Sequence, residues 1–135
     1  MLSETRRHER GHAFYPPAAA LAVIPSLYAT EHIPTESRTV FLHYFVRDCD
    51  WWIVELDPDT GLGFGYACLH GDAGNAEWGY VDLTELEALY QPSQLQTDYQ
   101  SRPTRILPRL IVERDLGWTP RPVHSIGLPG WRATG

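Results

Sequence analysis

Residues 39–81 read TVFLHYFVRDCDWWIVELDPDTGLGFGYACLHGDAGNAEWGYV, and this stretch decides the fold. β-Branched and aromatic residues fill it and polar turn residues cut it at short intervals, the pattern of consecutive antiparallel strands. Thr39–Arg47 and Trp51–Asp57 read as two strands joined through Arg47-Asp48-Cys49-Asp50. Pro58-Asp59-Thr60-Gly61 is a stronger turn, with Pro where φ is fixed and Gly where φ turns positive. Leu62–His70 and Glu77–Val81 follow as strands three and four. Asp82-Leu83-Thr84-Glu85 has the form of a capping box and opens a short helix to about Tyr90, with Leu83, Leu86 and Leu89 as its apolar stripe.

Pairing the strands as a meander, with Trp51 roughly opposite Cys68, puts Phe41, His43, Phe45, Trp52, Val54 and Leu56 on one face beside Gly63, Gly65 and Ala67. The small residues next to Trp52 would leave room for a helix or a ring. The other face would hold Val40, Leu42, Tyr44, Trp51, Ile53, Phe64, Tyr66 and Cys68. Both faces are apolar, so both need cover, from helices and from the arm, the tail or a partner chain.

Outward from this core, residues 1–17 read as a charged arm closed by Tyr15-Pro16-Pro17. Ala18–Tyr28 is helix-prone as far as Ile24, where Pro25 stops it. Gln91–Pro108 is polar and punctuated by proline, Arg109–Leu116 offers a short edge strand, and residues 119–135 form a Pro/Gly-rich basic tail. The expected architecture is α+β, a four- or five-stranded mostly antiparallel meander sheet with an N-terminal helix and a short helix after strand four. The 135 residues hold one such domain, at 18–118, between arm and tail.

Charge and composition remove several function classes. The chain has no lysine, which excludes Walker-type phosphate loops, Schiff-base chemistry and lysine general bases. Its net charge of −6 is uneven: residues 11–100 carry two Arg against thirteen acids, and residues 101–135 carry six Arg against two acids. Such a body repels nucleic acid, so any contact with it would run through the basic tail. The reading preferred here is that several of Arg102, Arg105, Arg109, Arg114, Arg121 and Arg132 fold back on the acidic body. No apolar run is long enough for a membrane span, and residues 1–11 lack the apolar core of a secretory signal. With two cysteines only, Cys49 and Cys68, a cytoplasmic protein with free thiols is expected.

One set of residues carries a resemblance. Pro25-Ser26-Leu27-Tyr28-Ala29-Thr30-Glu31 with Ile33-Pro34, then Trp52-Ile53-Val54-Glu55, then Glu77-Trp78-Gly79-Tyr80-Val81 with Leu83 and Glu85-Leu86, and finally Glu113-Arg114-Asp115-Leu116, resembles in order and spacing a bacterial domain-of-unknown-function family common on conjugative plasmids and other mobile elements. Residues 21–118 carry it. The resemblance implies a mobile-element setting and a fold, and it transfers no mechanism.

Candidate chemistry is incomplete at every position tested. His8-Glu9-Arg10-Gly11-His12 spells the zinc-protease motif, but on an arm with Gly11 inside it, so His8 and His12 read as solvated. Cys49, Cys68 and His70 would gather at one end of the sheet as three soft ligands, with the fourth to come from Asp48, Asp50 or water; ordinary strand-end residues are the preferred reading. No resident metal is expected. Asp57–Gly61 lacks the remaining ligands of a calcium loop, no nucleophile elbow or dinucleotide fingerprint occurs, and no cofactor is expected. Glu55, in the middle of an apolar strand, would be desolvated unless Arg114, Arg47 or a tyrosine meets it; with Glu77, Glu113 and Asp115 near, it could form an acid/base site.

Five Trp and seven Tyr in so small a domain point to a contact surface. Tyr44, Trp51, Ile53, Tyr66, Trp78, Tyr80 and Arg114 are its expected members, for a protein partner or a second copy, unless arm and tail cover that face with Trp118 and Trp131 as plugs. The sequence therefore predicts an accessory protein of a bacterial mobile element acting as a protein-interaction module. The alternative is a small hydrolase or nuclease-like enzyme using Glu55, Glu77 and His70.

Overall fold

The period-two segments of residues 39–81 become strands because each alternates side chains between two apolar layers. A computed structural model describes residues 2–132, and the last three residues of the expected tail lie outside that range. Its helices are α1 (Arg7–Arg10), α2 (Ala18–Ala22) and α3 (Leu83–Ala88). Its strands are β1 (Thr39–Val40), β2 (Leu42–Val46), β3 (Cys49–Leu56), β4 (Leu62–Cys68), β5 (Glu77–Asp82), β6 (Tyr90–Gln91), β7 (Gln94–Thr97), β8 (Pro103–Leu107), β9 (Leu110–Ile111), β10 (Glu113–Arg114) and β11 (Arg121–Pro122). The fold is α+β. The meander β2 to β5, with β10 added beside β2, makes a five-stranded antiparallel sheet in the order β10-β2-β3-β4-β5. Asp82 caps α3 by accepting from the Thr84 backbone N–H at 3.0 Å.

The β2–β3 turn, the β3–β4 register and the regularity of β3 all depart from expectation. The β2–β3 turn is the two residues Arg47 and Asp48, since Val46 pairs with Cys49, and Arg47 takes the left-handed φ of 52° that a tight hairpin turn uses. Across β3 and β4, Trp51 faces Ala67 and Trp52 faces Tyr66, so β4 is slipped by one residue from the expected pairing. Tyr66 and Cys68 thereby join Trp52 on one face, while Gly65 and Ala67 lie beside Ile53 and Trp51 on the other. A bulge between Ile53 and Glu55 then turns Val54 and Glu55 to the same face and returns Leu56 to the face of Ile53. Gly65 is required by this kink: a Cβ there would meet the Trp52 carbonyl oxygen at 2.0 Å. The glycine makes room for the neighbouring backbone, not for a helix or a ring beside Trp52.

Each face has its own cover, both drawn from this chain. Phe14, Tyr15 and Ile24 close over Leu42, Tyr44, Ile53, Leu56, Val81, Leu83 and Val112. Phe14 stacks on Tyr44 at 4.3 Å between ring centroids, and the Tyr44 hydroxyl donates to the Phe14 carbonyl at 2.8 Å. On the opposite face Val123 and Leu128, with Trp118, Ile126 and Trp131 around them, pack on Val40, Trp52, Val54, Tyr66 and Cys68. Strand β11 pairs with β1, Trp118 Nε1 donates to the Val40 carbonyl at 3.0 Å, and the Tyr66 hydroxyl donates to the Pro129 carbonyl at 2.7 Å. Arm and tail are thus parts of the core, and the expected division at residues 17 and 118 does not mark where packing stops.

The arm is locked by one carboxylate. Glu87, four residues after Leu83 on α3, is buried and accepts from the Thr5 and Arg6 backbone N–H groups at 2.9 and 2.8 Å, from the Thr5 hydroxyl at 2.8 Å and from Arg10 Nη1 at 3.3 Å. Arg10, also buried, donates Nε to the Val112 carbonyl at 2.7 Å and Nη2 to the Glu87 carbonyl at 2.9 Å. Burial alone would push the Glu87 carboxyl up, but these backbone, hydroxyl and guanidinium donors together hold it below the usual carboxylate range.

Contrary to expectation, the only ion pair of a tail arginine with the acidic body among the described residues is the local one of Arg102 with Asp98. Arg114 Nε donates to the Ala13 carbonyl at 3.3 Å, Arg121 lies 3.9 Å over the Trp118 ring, Arg109 donates to the Glu9 carbonyl, and Arg102 pairs with Asp98 four residues away. Apolar burial holds the tail. Deleting residues 119–135 is therefore expected to destabilise the protein by at least about 1.5–3 kcal/mol for each of Val123 and Leu128, equally at low and high sodium chloride, which denaturant titrations in the two salts would measure.

The Glu87 anchor makes a second expectation. Because its folded pKa is depressed, its contribution is fully present above the unfolded-chain value of about 4.3 and is lost as pH falls through the lower folded value. Glu87→Gln should cost about 1–3 kcal/mol by leaving Arg10 with Glu4, at 3.7 Å, as its remaining carboxylate, and should flatten the stability profile over that acid range in urea titrations.

Candidate functional site

The bulge decides the role of Glu55. Turned to the tail-covered face opposite Phe64, its buried carboxylate accepts from the Tyr28 N–H at 2.9 Å, the Thr30 N–H at 3.0 Å and the Thr30 hydroxyl. Neither Arg114 nor Arg47 is its partner: Arg114 meets Ala13, and Arg47 meets the Pro108 carbonyl. Glu55 closes the back of a cavity of about 320 Å³ lined by Tyr28, Glu31, Arg38, Phe64 and Tyr80, where the Tyr28 and Tyr80 hydroxyls bond to each other. Tyr28 stands there with φ of 72°, so Glu55 holds a left-handed turn in place by its N–H.

The expected acid/base set does not assemble. Glu77 pairs with Ala67, three residues along β4 from Phe64, which is ~10 Å at the rise of a strand and on the opposite face from Glu55. His70 lies beyond the end of β4, exposed and beside Cys49. Glu113, on β10, lies 3.8 Å from His12.

The expected contact surface is divided in the same way. Tyr44 and Ile53 are fully buried and Trp51 packs beside them under the arm, while Tyr66 and Trp78 lie under the tail. The one-residue slip of β4 splits the set, so no continuous face of Tyr44, Trp51, Ile53 and Tyr66 exists. Tyr80 is exposed at the mouth of the Glu55 cavity, and Arg114 ties β10 to the arm.

The histidine motif of the arm does not form a metal centre either. Helix α1 ends at Arg10 because Gly11 takes φ of 84°, so His8 and His12 do not share a helix turn; Arg10, between them, is the buried pin. His12 instead neighbours the Ala13 carbonyl and Glu113. Cys49 and Cys68 are both free and point to opposite faces, as their partners Val46 and Asp50 require. Burial pushes the Cys68 thiol up, which keeps it protonated.

Sequence reasoning missed three features. His43 is held between Asp50 at 2.8 Å and Asp115 at 2.9 Å and stacks on Trp52 at 5.1 Å. Both ring nitrogens face carboxylates, which leaves neither free to take a substrate proton, so the cluster works as a clasp between β2, β3 and the segment after β10. A cavity of about 620 Å³ lies between the arm, α2 and the β3–β4 turn, lined by apolar groups such as Leu2, Leu21, Ile24 and Leu56. Tyr15 is part of its wall; the buried Tyr15 hydroxyl has no hydrogen-bond partner among the described residues, and burial together with Glu87 and Glu4 pushes it up to about 12.

The third feature is the segment read only as polar and proline-punctuated. It rises from a stalk in which β6 pairs with β9, Tyr90 opposite Ile111, and continues as the hairpin of β7 and β8. Asp98 fastens its tip, accepting from the Gln100 and Arg102 N–H groups at 2.8 and 2.9 Å and from Arg102 Nε at 2.7 Å. Those donors, the Arg102 N–H foremost, hold the Asp98 carboxyl below its ordinary value. Leu95 and Ile106 face each other across the strands and are 58 % and 69 % exposed, and Tyr99 at the tip is 90 % exposed. Two-stranded hairpins are marginal alone, and this one leaves its apolar pair in water.

For Glu55 the expected outcome of Glu55→Gln is structural: a loss of about 1–3 kcal/mol in stability and faster amide exchange at Tyr28 and Thr30, measured by denaturation and hydrogen–deuterium exchange. Compared with known proteins, the chain matches no family model, no curated protein and no solved structure.

Proposed function

We propose that this chain is a protein-interaction module, an accessory protein of a bacterial mobile element acting in the cytoplasm, and that the hairpin at 94–107 is its docking element. The observation that carries the reading is the exposure of Leu95, Tyr99 and Ile106 on a hairpin that stands apart from both cores. Two free strand edges and a cross-strand apolar pair suit a groove or sheet edge on another protein. The resemblance of residues 21–118 supports the mobile-element setting. Two free thiols on opposite faces suit a reducing compartment, and no helix among the described residues is long and apolar enough to cross a membrane.

Charge favours a partner with acidic groups near its docking groove. Residues 91–109 carry Arg102, Arg105 and Arg109 against Asp98 alone, on a body that is otherwise acidic. A protein suits this element better than nucleic acid does. The exposed aliphatic pair has nothing to offer a phosphate backbone, and the thirteen acids of residues 11–100 repel one.

The test is a double charge substitution. Leu95→Glu with Ile106→Glu should leave the circular dichroism spectrum unchanged and stability within about 0.5 kcal/mol, because both side chains lie outside the cores. Affinity purification from the native host should then lose the proteins that the unaltered chain retains. An unaltered chain that retains no protein, or retention that survives the double substitution, overturns the reading.

A further inference from the structure

Where β2 turns into β3 and the chain leaves β4, three chemically different side chains converge. Asp48 sits in the hairpin turn, Cys49 opens β3, and His70 follows β4. Their ligand atoms all lie within 4.8 Å of one another, with Cys49 Sγ 3.9 Å and Asp48 Oδ1 4.0 Å from His70 Nδ1. Backbone contacts hold the two segments together, since Gly71 N–H donates to the Asp48 carbonyl at 2.8 Å and His70 N–H donates to Cys49 Sγ at 3.4 Å.

The separations fit a tetrahedral ion. Metal–sulfur and metal–nitrogen bonds of about 2.3 and 2.0 Å at tetrahedral angles put the two ligand atoms about 3.5 Å apart, and nitrogen and oxygen ligands about 3.3 Å apart. From 3.9, 4.0 and at most 4.8 Å, the three pairs need to close by about 0.4, 0.7 and no more than about 1.3 Å, the reach of a side-chain torsion. The side chains of His70 and Asp48 are 83 % and 63 % exposed, so they can do so without disturbing either core. One thiolate, one imidazole and one carboxylate form a donor set for a borderline ion of the zinc class; magnesium and calcium prefer oxygen alone.

We infer that Asp48, Cys49 and His70 form a surface site for one divalent cation of the zinc class, with water at the fourth position. This ligand set replaces the one suggested by sequence spacing. Cys68 lies on the opposite face with its thiol pushed up by burial, and neither His8 nor His12 shares the site.

Cobalt(II) titration of the reduced full-length chain tests the site, because a cobalt–thiolate bond gives a near-ultraviolet charge-transfer band and tetrahedral cobalt gives intense visible bands. One equivalent of cobalt per chain should develop both, and zinc should displace it. Cys49→Ser should abolish the charge-transfer band. His70→Ala, with its fold checked by circular dichroism because His70 holds a left-handed φ of 56°, should weaken binding by more than the roughly tenfold that loss of an outer-shell partner costs. Cys68→Ser and His8→Ala should bind as the unaltered chain does. Absence of the thiolate band in the unaltered chain, its survival in Cys49→Ser, unchanged binding in His70→Ala, or its loss in Cys68→Ser overturns the assignment.

Discussion

A sheet that is apolar on both faces must be covered twice, and almost every other feature of this protein answers to that constraint. Tyr44 and Ile53 on one face and Trp52 and Tyr66 on the other each forgo about 1.5–3 kcal/mol if left in water. The sequence before β1 supplies one cover and the sequence after β10 the other. What fixes the first cover in one position is the Arg10–Glu87 pair. Burying two charges yields little net stability, but with four donors on one carboxylate and both ends of the guanidinium used, only one placement of the arm satisfies them all.

The strands, the turn at Pro58–Gly61, the Asp82 cap and the edge strand before Leu116 were legible because each rests on local chemistry: periodicity, fixed φ and capping oxygen. The register of β3 on β4 was not, because a bulge is a property of two strands at once. Its traces lay in the sequence all the same. A glutamate inside Trp-Trp-Ile-Val-Glu-Leu and a glycine at 65 both violate a regular strand, and one kink explains both: the bulge turns Glu55 to the Tyr28–Thr30 loop and presses the Trp52 carbonyl toward Gly65.

Candidate residues were harder to read for a related reason. Side-chain sets such as Tyr44, Trp51, Ile53 and Tyr66 are assigned by parity along strands, so a slip of one residue moves half of them to the other face. His43 lies 72 positions from Asp115, and nothing local announces their contact. The buried arginine inside the His8–His12 motif has the opposite lesson: the motif matched a pattern, while Arg10, one of the two residues the pattern leaves free, is the one that packing uses.

With both faces closed by the chain itself, exposure acquires meaning by contrast. Val123, Leu128, Phe14 and Ile24 show that this fold reaches far along the chain for cover, while Val23, Leu69 and Leu116 stay exposed one at a time on the body. The hairpin has the same kind of side chains in Leu95, Tyr99 and Ile106, yet its stalk at β6 and β9 holds it outside both cores. Asp98 stiffens the tip with three hydrogen bonds that bury no apolar surface. Ordering a segment costs conformational entropy, about 1–2 kcal/mol per residue, and here no internal burial offsets that cost. A surface on another molecule is the burial that would, and this is the physical ground on which the proposed docking role of the hairpin rests.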